Sequence, residues 1–272
     1  MSAQILFTDL DGTLLNDQKE ITPGNRRAID EALAKGKRIV VTSGRPLASS
    51  LDQARRLGLA EPGCYVIAYN GAEIYDCAQE KSVFRCPLAL EPLYAVYDEA
   101  KRRGVYIQTY DREQVVIEEG LDPENAKWYA GRLGMTYRVI RDIRRDLTAP
   151  PVKALLIDRA ESGVLDEMDR WIKENLAGQV DSFHSAAFFL EVVGIGINKG
   201  TAVESLCRTL NIPVAEAVAA GDEANDVSMI RAAGIGAAMI NGVPAAKEAA
   251  DYITEQDNNH DGVAEIIRRF LL

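Results

Sequence analysis

The strongest constraint on this chain's fold is an alternation. Short apolar runs take turns with stretches of helical period through residue 76, and again after about residue 190. "QILFT" reads as a buried strand and "TPGNRRAIDEALAKG" as the helix that follows. Thr22 can cap that helix, Pro23 suits its first turn, and Gly36 can close it. Ala28, Ile29, Ala32 and Leu33 give it one apolar face. "KRIVVTSGR" is a second strand, and "PLASSLDQARRLG" a second helix with Leu47, Leu51 and Ala54 on one side. "CYVIAYNGAEIYD" is two strand-like runs joined at Asn70-Gly71, a hairpin signal. Strand–helix alternation of this kind predicts an α/β fold, a parallel sheet covered by helices. Ligands of such sheets bind beyond the carboxyl ends of the strands.

The middle of the chain has another texture. "VYIQTYDREQVVIEE" suggests two strands around a turn, "PENAKWYAGRLG" a helix, and "RDIRRDLTAPP" a charged loop. "VKALLIDR" and "AAFFLEVV" read as strands, with "SGVLDEMDRWIKENL" as a helix between them. Residues 85–188 are therefore expected to form an inserted α+β unit, with 1–84 and 189–272 completing one core.

Composition narrows the function classes. With 272 residues and 47% hydrophobic content the chain can bury a large core. Its net charge of −10 argues against nucleic acid or an anionic membrane as a partner. Cys64, Cys77, Cys86 and Cys207 lack metal or redox spacing, which suggests a reducing compartment. No basic leader with an apolar run opens the sequence, and no apolar stretch reaches membrane-spanning length. A cytoplasmic protein is expected.

Four clusters carry the chemistry. In "FTDLDGTLL", Asp9 and Asp11 at i and i+2 of an extended segment project to one side, with Leu10 on the other. Like charges so close need a cation or a shared proton. Mg²⁺ prefers such oxygen donors, often with substrate phosphate. One carboxylate could also be a nucleophile and the other a general acid, then base. By itself the segment is equally a strand ending in an acidic turn. "AGDEANDVSM" bunches Asp222, Glu223, Asn225 and Asp226, although acids there also suit a helix N-terminus. "VTSGRP" offers Ser43 and Gly44 as a phosphate-binding loop, or simply a turn. "INKGTA" offers Lys199, as a balancing cation or a solvated side chain. Each cluster falls at the end of an expected core strand or the start of a core helix. Together they hold what phosphoryl transfer needs. His184 and His260, the only histidines, lie in no nucleophilic motif, and no P-loop occurs.

In order and spacing these four clusters resemble the motifs of the haloacid dehalogenase (HAD) superfamily, in particular its Cof-type sugar-phosphatase-like hydrolases. "YNGAEIYD" and "NNHDGVAEII" also look like that branch. The resemblance covers nearly the whole chain and implies a Rossmann-like parallel-sheet core with an inserted α+β cap domain. It implies that Asp9 is the nucleophile and Asp11 the acid and base. Asp9, Asp222 and the carbonyl of Asp11 would hold Mg²⁺. The backbone of Leu10 with Ser43, Gly44, Lys199 and Asn225 would hold phosphate, and Glu223 and Asp226 would support the metal or its waters. The implied reaction is hydrolysis of small phosphomonoesters, sugar phosphates among them, through an aspartyl-phosphate. A phosphomutase or phosphotransferase of the same fold, and a non-catalytic phospho-ligand sensor, are the alternatives. His184 and Arg45 could approach substrate, or could be an exposed loop residue and a salt-bridging arginine. Asp158 is expected to be structural.

Overall fold

The computed structural model describes residues 2–272. In chain order the first strands and helices are β1 (Ile5–Thr8), α1 (Pro23–Ala34), β2 (Arg38–Thr42), α2 (Leu47–Arg56), β3 (Cys64–Ala68), β4 (Glu73–Asp76) and β5 (Lys81–Arg85). The middle contributes α3 (Leu90–Arg103), β6 (Tyr106–Tyr110), β7 (Gln114–Glu118), α4 (Pro123–Arg132), β8 (Thr136–Ile140), α5 (Ile143–Asp146), β9 (Lys153–Ile157), α6 (Val164–Asn175), β10 (Val180–Ala186) and β11 (Phe189–Gly194). The last part adds α7 (Lys199–Thr209), β12 (Ala217–Gly221), α8 (Val227–Ala232), β13 (Ile235–Ala238), α9 (Pro244–Ala249), β14 (Tyr252–Ile253) and α10 (Gly262–Phe270).

The chain divides into two units. The first comprises the residues up to Gly44, Ser50–Phe84 and Asn198–Leu272. Its sheet runs β14-β13-β12-β1-β2-β3-β4-β5. From β14 through β3 every pair is parallel, while β3 and β4 form the antiparallel hairpin that Asn70-Gly71 signalled. All four residues of β1 are buried, as a strand covered on both faces requires. Ile5, Phe7, Val40 and Ile67 pack against Val203 and Leu206 of α7. The cap of α1 forms as expected: Thr22 accepts from the Asn25 N–H, and Ala28, Ile29 and Ala32 are buried. Four strands escaped the sequence reading: β5 and β14 here, and β8 and β10 in the middle of the chain. β5 is mostly exposed and lacks apolar alternation, and β14 is only two residues long.

The second unit comprises Arg45–Ser49 and Arg85–Ile197. Its sheet runs β10-β11-β9-β6-β7-β8, mostly antiparallel. Tyr97 of α3 and Met168 and Ile172 of α6 form its core with Ile107, Leu156 and Val192. β11 pairs with both β9 and β10 and so belongs to this unit, which runs to Ile197. A single turn of helix, α5, replaces part of the expected charged loop, because the Asp142 side chain caps it at the Arg144 N–H. α3 was also missed. Its Pro92 lies near the helix start, where a missing N–H costs nothing. Among the described residues no helix is long and apolar enough to cross a membrane.

Candidate active site

β12, β1, β2 and β3 are neighbours and mutually parallel, so four loops leave the same edge of the first unit's sheet. From β1 the chain goes to β2 and β3 on one side, while β12 lies on the other. A crevice opens beyond the carboxyl ends where strand order reverses in this way. Asp9 follows β1, Ser43 follows β2, Asn70 follows β3 and Asp222 follows β12.

Lys199 is the hub of the site. It is the first residue of α7, behind a capping box made by Asn198 and Thr201. Its Nζ lies 2.6 Å from Asp9 Oδ1 and 2.6 Å from Asp226 Oδ1. Asp226 Oδ2 accepts the backbone N–H groups of Asp222 and Glu223, each at 2.9 Å. Both oxygens of Asp226 are thus engaged within the protein. Asp222 Oδ1 accepts the Thr13 hydroxyl at 2.5 Å.

Carboxylate oxygens of Asp9, Asp222 and Asp226 lie within 4.8 Å of one another, and all three residues are buried. Burial raises the Asp9 carboxyl well above its ordinary range, and Asp226 and Asp222 add to the rise against the pull of Lys199. Burial likewise pushes Asp222 up to about 7, with the Thr13 hydrogen bond opposing and Asp226 and Glu223 reinforcing. Burial alone would depress the Lys199 ammonium, but Asp226 and Asp9 together hold it above its usual value. Three acids therefore share one ammonium. An all-oxygen set with surplus negative charge fits a hard divalent cation such as Mg²⁺.

A second group surrounds the Ser43–Gly44 loop. Ser43 is buried, and its N–H donates to Ile67 O at 2.8 Å. The Asn70 N–H donates to Ser43 O at 3.1 Å, and Asn225 Nδ2 donates to Asn70 Oδ1 at 3.0 Å. A Cβ on Gly44 would stand 2.9 Å from Asn70 Oδ1, so only glycine admits the asparagine amide there. Asn70 joins two clusters that the sequence showed separately. The sequence marked it as a hairpin residue within "YNGAEIYD" but gave it no role; position was the usable signal, since the loop after β3 opens at the same sheet edge.

Asp11 stands apart from the buried acids. Its side chain is 40% exposed and pairs with Lys19 at 2.8 Å. Leu10, between the two acids, is fully buried. Gly12 has φ +81, and a Cβ there would lie 2.3 Å from Asp222 Oδ2. The chain can turn over Asp222 only because that residue is glycine. The loop is then tied to the C-terminal part of the chain. Asn241 Nδ2 donates to Gly12 O at 2.8 Å, the Asn258 N–H to Asn241 Oδ1 at 3.2 Å, and Asn258 Nδ2 to Leu15 O at 3.0 Å. The sequence reading assigned these two asparagines no role. Asp261 Oδ1, from the same "NNHDG" stretch, accepts the Thr22 hydroxyl at 2.5 Å and the Gly24 N–H at 3.0 Å.

Glu223 is exposed and completes a capping box with Asp226. In the second unit His184 Nε2 lies 3.2 Å from Asp166, and Asp158 accepts the Ser162 N–H and hydroxyl. The bonds from Ser162 close a local turn at Asp158.

Comparison with known proteins accords with this layout. A family model described as haloacid dehalogenase-like hydrolase matches residues 6–267. A crystal structure of a haloacid dehalogenase-like hydrolase from Bacteroides thetaiotaomicron is similar at 36% identity and a TM-score of 0.88, over 98% of this chain and 99% of that one. YxeH of Bacillus subtilis (strain 168), provisionally named a phosphatase, is 32% identical over 99% of this chain and 98% of its own length. YcsE of the same organism, named a 5-amino-6-(5-phospho-D-ribitylamino)uracil phosphatase, is 29% identical over 99% of this chain and 96% of its own length. The chain belongs to the haloacid dehalogenase-like hydrolases, as one of that family's phosphatase enzymes.

Proposed function

We propose that the protein is a Mg²⁺-dependent phosphatase of small phosphorylated metabolites, working through an aspartyl-phosphate on Asp9. The observation that carries this reading is the state of Asp9. Lys199 holds one of its oxygens at 2.6 Å, while Oδ2 has no partner among the described residues. One oxygen is fixed and the other is left to attack.

In this reading Asp9 Oδ2 forms a bond to phosphorus as the bond to the leaving oxygen breaks. Asp11 delivers a proton to that oxygen. Asp11 then removes a proton from the water that attacks the aspartyl-phosphate, which frees phosphate and restores Asp9. The exposure of Asp11 suits a group that exchanges protons with substrate and water. Lys199 balances the phosphate charge and favours the ionised form of Asp9. Asp226 touches no reacting atom and positions Lys199 and the Asp222 backbone. Mg²⁺ held by Asp9, Asp222 and the Asp11 carbonyl would neutralise phosphate charge and orient the ester. Ser43, Gly44, Asn225 and the Leu10 backbone would take the remaining phosphate oxygens.

The substrate class is proposed as sugar and sugar-alcohol phosphates. YcsE supports this, since its named substrate carries phosphate on a ribityl chain. Four unpaired cysteines accord with a reducing, cytoplasmic setting. The test is phosphate release from a panel of sugar phosphates, phosphorylated cofactors and the ribityl compound, with Mg²⁺ and with chelator. Release that requires Mg²⁺ supports the reading. Phosphate passed to an added sugar faster than to water would favour a phosphotransferase instead.

A further inference from the structure

The hairpin between β3 and β4 turns through Tyr69 and Asn70, both with positive φ, and leaves one donor unaccounted for. Asn70 is 1% exposed, with φ 57. Its backbone N–H holds Ser43 O, and its Oδ1 accepts from Asn225. Its Nδ2 is buried and has no hydrogen-bond partner among the described residues. An amide donor shut away without an acceptor is costly, and native structures rarely keep one without a reason. The amide lies beside Gly44, in the loop assigned above to the phosphate, and beside Asn225. Among the described residues no carboxylate hydrogen-bonds to this amide.

We propose that Asn70 is a further phosphate-binding residue. Its Oδ1 keeps Asn225 in place, and its Nδ2 donates to an oxygen of the bound phosphate. The inference rests on the phosphatase reading above and extends its phosphate site to a residue outside the four motifs. A left-handed backbone conformation at this position explains why the residue is asparagine. Asn tolerates positive φ and still carries an amide, whereas glycine would supply the turn without the donor.

The test uses two variants of the full-length protein. Asn70→Gly keeps the left-handed turn and removes the amide. Asn70→Asp is nearly isosteric, keeps the acceptor for Asn225 and removes the donor. Binding of inorganic phosphate and of Mg²⁺ is measured by calorimetry, alongside kcat and KM for the best phosphomonoester of the wild type. Both variants should bind phosphate about ten-fold or more weakly, with KM raised accordingly and Mg²⁺ affinity within two-fold of wild type (roughly, by the usual worth of a hydrogen bond to a charged group). If either folded variant binds phosphate as the wild type does, the inference falls. Loss of Mg²⁺ and phosphate binding together would also overturn it, since that marks a general scaffold residue. Wild-type protein that neither binds nor releases phosphate would instead refute the phosphatase reading itself.

Discussion

Asp226 and Asp9 hold the same ammonium, that of Lys199: the two oxygens lie 2.6 Å from one nitrogen, and neither Lys199 nor Asp226 is more than 1% exposed. The second oxygen of Asp226 is occupied by the N–H groups that open the Asp222 loop. One buried acid thereby sets the position of a cation and of a loop.

Removing Lys199 should therefore expose how much charge it balances. Lys199→Met would leave Asp9, Asp222 and Asp226 with no buried cation. Breaking a buried pair of this kind costs about 3–5 kcal/mol. Thermal melts should show a large loss in metal-free protein, with part of it recovered on adding Mg²⁺. Wild-type stability without metal would contradict the charge accounting.

Asp9→Asn tests the nucleophile apart from the fold. The amide is isosteric and reduces like-charge crowding, while Lys199 keeps Asp226. Turnover should fall at least ~10³-fold, a loss of nucleophilic catalysis. Metal-free stability should stay close to that of the wild type. Retention of full activity would remove Asp9 from its assigned role.

If Asp222 is a metal ligand, as proposed, metal binding should depend on pH. Its carboxyl rises from 3.8 to about 7, chiefly through burial. With the folded value above the unfolded one, the stability this group contributes is complete below 3.8 and is lost as pH rises through about 7. A divalent cation binds the carboxylate, so binding expels a proton on the acid side of that value. The gain in Tm on adding Mg²⁺ should be larger at about pH 8 than at about pH 6, and proton release should be measurable by calorimetry in buffers of different ionisation enthalpy. An equal gain at both values would rule out Asp222 as a titrating ligand.

Asn258, only 5% exposed, anchors the loop that follows Asp11 through Leu15 O. Asn258→Ala would leave that carbonyl without its donor. The expected cost is about 1–3 kcal/mol, read from denaturant melts, with a lower kcat because the Asp11 loop loses its tether. An unchanged kcat would show that the loop is held adequately by Asn241 and by its own turn.

What was legible in the sequence was local and periodic. Alternating runs gave β1, β2, β3, β12 and their helices, and the parallel sheet then put Asp9, Ser43, Lys199 and Asp222 at one edge. The Thr22 cap was readable because it acts within three residues; the Asn198 cap went unread. Elements with weak periodicity, such as exposed β5, short β14 and the single turn α5, were not readable, since their pairing or capping supplies what their pattern lacks.

The sequence by itself thus determined the layered α/β core, the interruption by a second α+β unit, and the set of residues brought to the strand ends. Only the tertiary structure decided how those residues divide the work. It engaged both oxygens of Asp226, set Asp11 beside Lys19, and made Asn70 the link between Ser43 and Asn225. The physical reason is range. Period and propensity act over a few residues, whereas the partner of Asn225 is 155 positions away and that of Lys199 is 190. Contacts across such separations follow from strand order and burial, which no local pattern encodes.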